Sequence, residues 1–301
     1  MTRLTKLWIG AACALLSPMV FAGDIRNICE NDPQACLSEA AVLQRSQTIG
    51  SFEWWELEAL RLDSLFKLQK NDELYAAVRP WVTDADVPEK YQAVLQLFLG
   101  KWLTANGRHE ESQVALSKAL SGFEEQYAAS PSPSNGVRVL NLLVSLDRFE
   151  KASVFAEVLE SSNFEDAVFY REIFAELGHV AHQKNALTQH IEYRLKSLQW
   201  AKRVPDLQQQ AIAHNNYGVA LRESKKYIMA ESAFSDALKC AKKANDTAQV
   251  NSIRLRLAEI AKFQNNVAKS KNWLDKVILD ELPALQIPRY RKLADALAEL
   301  S

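Results

Sequence analysis

Glycine is scarce in this chain, nine residues in 301, and there are only four cysteines. No glycine-rich or low-complexity stretch points to disorder. The glycine loops that cradle phosphates are missing too, as is a Gly-x-Ser-x-Gly elbow. His109-Glu110 lacks a second histidine four residues on, so it is not a zinc-protease helix. Neither sign of charge dominates, with 36 basic against 37 acidic residues. That balance argues against a nucleic-acid binder, which needs a basic surface to displace counterions. Beyond the first 22 residues no segment has the roughly 20 uninterrupted apolar residues that span a bilayer. Carboxylates do occur in pairs, at Glu110-Glu111, Glu124-Glu125 and Asp280-Glu281. Adjacent residues on a helix point about 100° apart, so these read as solvated charge and not as an acid/base pair.

What is present is a repeat. A loose pattern of small and apolar residues returns six times, every 35 to 40 residues. The clearest copy runs Tyr217-Gly218, Leu221, Tyr227, Ala230, Phe234, Ala237, with the last three at helical spacing. Leu177-Gly178, Ala181 and Leu187 hold the same places forty residues earlier. Leu257-Ala258, Ala261, Val267, Ser270, Leu274 and Val277 hold them forty residues later. Toward the N-terminus come Leu99-Gly100, Leu103, Gly107, His109, Ser112, Leu116 and Ala119, then Val139-Leu140, Leu143, Phe149, Ala152, Ala156 and Leu159. The first copy, Leu65, Leu68, Leu74, Ala77 and Trp81, is the most degenerate. Three of the rare glycines, Gly100, Gly178 and Gly218, share one repeat position. A mid-helix glycine costs about 1 kcal/mol against alanine, so three in register imply close helix contact.

The pattern resembles the tetratricopeptide repeat. The copy at 211–244 matches the second-helix positions of that family and departs where His214 and Leu221 replace a large apolar residue and an aromatic. The resemblance implies an all-α chain: a right-handed superhelical solenoid of about six antiparallel helix hairpins over 54–283. Such a stack escapes the size limit of a single core, because each unit contacts only its neighbours. The run Ser130-Pro131-Ser132-Pro133-Ser134-Asn135-Gly136 reads as a long turn, or as a hinge between subdomains.

Residues 1–22 read as a secretory signal peptide. Arg3 and Lys6 precede the apolar run Leu7 to Leu16, and Val20-Phe21-Ala22 offers a cleavage site. The periplasm is the expected destination, with no stable membrane insertion after cleavage. Cys13 leaves with the leader. In the segment 23–53, Cys29 and Cys36 flank a turn-rich stretch and read as a disulfide in an oxidising compartment; two free thiols or a metal pair are the alternatives. Cys240 reads as a buried inert thiol. Phe52, Trp54 and Trp55, extended by Trp81 and Trp102, form either a capping core or an exposed interaction hot spot. Ile287, Tyr290, Leu293, Leu297 and Leu300 mark an amphipathic capping helix over 284–301, with Pro288 in its first turn.

The resemblance places the concave, partner-facing side on first-helix residues Phe66, Lys101, Asn141, His179, His182, Asn215, Arg222, Glu259 and Lys262. The family's clamp for a C-terminal carboxylate needs lysines, asparagines and an arginine in a set order that this chain does not reproduce. His179 and His182, spaced i, i+3, could share a metal, and His190 and His214 could lie close in a stack; groove lining is the simpler account of the first pair. The expectation is a non-catalytic scaffold that binds an unidentified protein or peptide, with no cofactor, no metal and no nucleic acid. Two other roles fit the same features: an accessory sensory subunit of a membrane receptor, and a binder of a small ligand or peptidoglycan fragment.

Overall fold

The computed structural model describes residues 25–29 and 32–300. The leader at 1–22 lies outside the described residues. After a helical stretch at 25–29 come fourteen α-helices and two 3-10 turns, and among the described residues there is no strand. Helix α1 (Pro33–Gln44) precedes six consecutive pairs. These are α2 (Phe52–Lys67) with α3 (Asn71–Val78), α4 (Glu89–Ala105) with α5 (His109–Ala129), and α6 (Pro133–Ser145) with α7 (Phe149–Ser161). Then come α8 (Ala167–Gln183) with α9 (Leu187–Ala201), α10 (Leu207–Glu223) with α11 (Tyr227–Lys243), and α12 (Thr247–Phe263) with α13 (Val267–Leu274). Helix α14 (Ile287–Ala298) ends the chain.

Five second helices start at His109, Phe149, Leu187, Tyr227 and Val267, the residues the repeat register singles out. The first pair differs. Helix α3 stops at Val78, short of Trp81, because Pro80 has no N–H to continue the ladder. Within every pair the chain reverses through one left-handed residue: Gln69, Gly107, Asp147, Asn185, Lys225 or Asn265, with φ from 54° to 72°. The next N–H then reaches back to the carbonyl five residues earlier, as from Lys226 to Leu221 and from Asn266 to Ala261, both 2.9 or 2.8 Å. This closure satisfies carbonyls that the helix end leaves open.

The registered glycines do what close approach requires. A Cβ on Gly100, Gly178 or Gly218 would stand 2.5 to 2.8 Å from Leu116, Arg194 or Phe234, the side chain at one equivalent position of the second helix. Small residues close the same contact from the other side. Ser112 donates its hydroxyl to the Gly100 carbonyl (2.9 Å), and Ser270 donates to that of Ala258 (2.7 Å).

The chain divides into two compact units, Met1–Gly122 and Phe123–Ser301. The division falls inside α5, not at the Ser/Pro run 130–136. That run is a short link and not a long turn. Helix α5 continues to Ala129, and Pro133 opens α6 with the Ser132 hydroxyl accepting from the Asn135 N–H at 3.3 Å. Proline suits a first turn, where its missing N–H has no helical partner anyway.

In the first unit a Cys29–Cys36 disulfide bridges the start of α1. Asp32, between the two, caps that helix by accepting from Gln34 and Ala35. Ile25, Cys29, Cys36 and Leu57 pack as one buried cluster. In the second unit Leu293 and Leu297 of α14 cover Leu255, Ala258, Leu274 and Val277. Leu300 does not share this role: it lies past the helix end and is exposed. Cys240 is half-buried against the second unit's core, less enclosed than its spacing suggests.

Candidate functional site

All nine residues expected on the binding face lie on first helices of their pairs. In the first unit the Lys101 ammonium sits 3.9 Å from the Phe66 ring centroid, and Phe66 leans on Phe98 at 6.0 Å. In the second unit three of the expected residues belong to a chain of charges. The His182 Nε2 lies 3.4 Å from the Glu223 carboxylate. Arg222 contacts Glu223 at 3.5 Å and Glu259 at 3.6 Å. Glu259 is in turn gripped by both arms of Arg289 from α14. His179 pairs with Gln183 at 3.3 Å. Lys262 is half-buried beside this chain on α12.

Sequence reasoning missed the partners that organise the face. Glu223 joins His182 to Arg222, and its other close neighbour is His190 Nδ1 at 3.4 Å. His190 is buried, and it occupies the repeat position that Ser112, Ala152, Ala230 and Ser270 fill elsewhere. The histidine ring it meets is that of His182, 5.1 Å away. Its Nε2 accepts from Arg194 Nε at 3.3 Å, which makes Nδ1 the protonated nitrogen. Burial, then the Arg194 cation, pulls His190 down to about 4. Three basic neighbours and this depressed value describe a neutral imidazole, its Nε2 held by Arg194 and its Nδ1 without a hydrogen-bond partner. Among the described residues no group of three His, Cys, Asp or Glu is arranged to hold a metal ion.

Glu176 on α8 shows the opposite perturbation. Burial, helped by the charge of Glu172, raises it to about 7. The unfolded chain would release that proton near 4.5. Stability from this group is therefore full below pH 4.5 and lost as pH rises through 7. His190 acts in the other direction, losing stability as pH falls from 6.5 toward 4. Glu176→Gln is expected to raise stability at about pH 8 by on the order of 2 kcal/mol and to leave it unchanged at about pH 4. Chemical denaturation at the two pH values measures this; an equal shift at both would show that ionisation is not the cause.

A second group lies toward the C-terminal end of the same face. Asn215, Ser252, Arg256 and Gln286 line an open cavity of about 300 Å³. Asn215 Oδ1, Arg256 Nε and Gln286 Oε1 are all buried without a hydrogen-bond partner, as is Asn141 Oδ1 on α6. Buried polar atoms are rarely left so. Burial, then the Arg289 and Arg222 cations, lowers Arg256 to about 10. Of these residues only Asn141 and Asn215 were expected on the face. Arg256 could have been found by following the forty-residue period through Glu176 and Asn216, all three half-buried on first helices. Gln286 could not, since it lies outside the repeats.

No family model and no curated protein matches the chain in sequence. Solved structures match it in shape. The APC/C hetero-tetramer Cut9-Hcn1 superposes with a TM-score of 0.66 at 14% identity, over 94% of this chain and 49% of that one. NprR in complex with its cognate peptide NprX gives 0.58 at 16%, over 94% and 82%. A signal-transduction ATPase with a tetratricopeptide repeat sensor, from Pyrococcus horikoshii, gives 0.54 at 16%, over 88% and 42%. The fold is that of tetratricopeptide-repeat proteins. The chain spans about half the length, or less, of the first and third of these relatives.

Proposed function

We propose that this protein is a non-catalytic binding module of the bacterial periplasm. It takes an extended protein or peptide segment along the first-helix face of the second unit, on α6, α8, α10 and α12. The observation that carries this reading is the set of buried, unpartnered polar atoms at Asn141, Asn215, Arg256 and Gln286. Each has lost water and gained no protein partner, so a bound chain can supply what is missing without first displacing an internal bond. An extended peptide offers alternating N–H and C=O groups, which suit such a row. The likeness to NprR, solved with its cognate peptide, supports the choice of ligand class. Exposure of the paired carboxylates at Glu110-Glu111 and Glu124-Glu125 supports a role without acid/base chemistry. Localisation rests on the leader read from residues 1–22.

The test is crosslinking in periplasmic extract, with mass spectrometry to identify what is captured. Asn215→Ala with Arg222→Ala is expected to abolish the principal crosslink while far-UV circular dichroism stays unchanged. Capture that survives the double substitution undiminished would sink the reading.

A further inference from the structure

The second unit carries uncompensated charge on an edge away from the first-helix face. The chain leaving α9 and the chain leaving α11 have the same residue types forty positions apart: Lys202, Arg203 and Asp206 in one, Lys242, Lys243 and Asp246 in the other. The Gln208 side-chain amide donates to Asp246 at 3.2 Å and ties the two links together. Burial, then the Lys202 charge and more weakly that of Lys239, lowers the pKa of the buried His214, so both ammonium groups act on one ring. Lys202, Arg203, Lys242 and Lys243 are all exposed. The acids of this edge are committed elsewhere. Asp206 and Asp246 cap α10 and α12 by accepting from the Gln209 and Gln249 N–H groups, and Asp236 pairs with Lys239 at 2.9 Å. Among the described residues none of the four cations has a carboxylate partner. Apolar groups share the edge. The Arg203 guanidinium lies 4.1 Å from the half-buried Trp200 ring, and Pro205 and Leu207 follow it, exposed. The equivalent link before α8 carries Glu165 and Asp166, and Asp280-Glu281 follow α13, so the positive charge is confined to two repeats.

Helix C-termini favour cations, but that effect stabilises the helices and gives no affinity for anything outside them. Four exposed cations on two adjacent links, with no acid left to pair with them, form a surface for an extended array of anions. Their side chains are not fixed by hydrogen bonds to neighbouring acids, so they can follow anions whose spacing is not fixed either. Lipid headgroups in a bilayer are such an array. A tryptophan, a proline and a leucine among the cations suit the same boundary, where a ring with an apolar body and a polar tip is favoured. We propose that this edge of the second unit rests on an anionic bilayer surface, with headgroup phosphates opposite Lys202, Arg203, Lys242 and Lys243. The inference goes beyond the reading above and does not depend on it. The cations stand at the ends of second helices, so contact with a bilayer leaves the polar groups of the first helices open to a partner.

The experiment sediments residues 23–301, the chain without its leader and with every described residue, with vesicles. One set is phosphatidylcholine and the other is phosphatidylcholine mixed with phosphatidylglycerol. Binding is expected to the mixed vesicles only, and to fall away as salt is raised to about 0.5 M. Lys242→Ala with Lys243→Ala should weaken it about 25-fold, roughly fivefold for each cation removed. Lys225→Asn with Lys226→Ala is the control. It removes the same charge from the other end of α11, about 25 Å away, and asparagine tolerates the left-handed backbone at 225. That variant should bind as the parent does, and both should keep the parent's melting temperature. Equal binding to the two kinds of vesicle, or equal loss from the two pairs of substitutions, would overturn the proposal. So would competition by soluble glycerophosphoglycerol at matched phosphate, which would assign the edge to a discrete phosphate. A glutamate-rich peptide that binds more tightly than the vesicles, and is lost in the Lys242/Lys243 variant, would overturn it in favour of an acidic protein. The crosslink tested with Asn215→Ala and Arg222→Ala is read separately, so either result can fail without the other.

Discussion

Phe234→Ala is expected to cost the second unit about 3–5 kcal/mol of stability. The ring is fully buried among Leu221, Ala230, Ala237 and Ile253. Ala230 and Ala237 among these neighbours have no side-chain reach to collapse into a void. Its edge lies 2.7 Å from where a Cβ on Gly218 would stand, so α10 and α11 approach closely because one residue is missing a side chain and the other fills the space. Phe234→Leu, which keeps most of the volume, should cost clearly less. Gly218→Ala should be destabilising alone and better tolerated beside Phe234→Leu, a coupling that a double-mutant cycle reads directly. Hydrogen exchange followed by mass spectrometry locates the loss: amides of α10 and α11 should lose the most protection. A cost under about 1 kcal/mol for Phe234→Ala would mean the helices are not held by this contact. The consequence reaches the proposed binding face, since Asn215 and Arg222 are carried by the helix that Phe234 supports.

This contact also shows why so much of the fold is legible in the sequence. Close helix approach admits few residues, so Gly100, Gly178 and Gly218 recur in register, and the starts of five second helices could be read to the residue. The reversals inside each pair leave a weaker trace. Of six left-handed positions only Gly107 is glycine; Asp147, Asn185 and Asn265 are types that tolerate this region, while Gln69 and Lys225 advertise nothing. There the closing backbone bond supports a conformation that costs an L-residue about 1–2 kcal/mol. Pro133 misled for a related reason. Proline inside a Ser/Pro run suggests a turn, yet the same residue opens a helix when a serine caps it.

The proposed binding face was legible only in outline. Period and register put Asn141, His182, Arg222 and Glu259 on first helices. They could not say which polar atoms would end up desolvated and alone. That depends on the chain after the last pair, where Gln286 and Arg289 come back against α12. Arg289 takes up Glu259, which a surface reading would have left free for a partner. Arg256 Nε is left without an acceptor. His190 is the clearest failure of periodicity: its position holds a small residue in four other copies, and only the structure shows Arg194 and Glu223 accommodating its ring.

The first unit carries the other large effect. Trp55→Ala is expected to destabilise that unit by about 3–5 kcal/mol. The indole is 2% exposed. It meets Trp54 edge-on at 4.8 Å and Trp81 edge-on at 5.4 Å, and it stacks on Tyr91 at 5.6 Å. Tyr91 is itself buried, and its hydroxyl donates to Glu56 at 2.7 Å, a carboxylate that Lys90 also reaches. Removing the indole therefore opens a void between α2 and α4 and loosens the aromatic ring beneath a charged pair. Phe52 provides the contrast. It lies in the same cluster, 6.2 Å from Tyr91, but is 60% exposed. Phe52→Ala should change stability by no more than about 0.5 kcal/mol. The two substitutions separate the two meanings of an aromatic cluster at a chain end. If it is core, Trp55→Ala melts the first unit early and Phe52→Ala does nothing measurable. If it were a docking hot spot, Phe52→Ala would remove a crosslinked partner at unchanged melting temperature. The burial of Trp55 and Tyr91 favours core, which puts the search for the partner on the second unit's polar face.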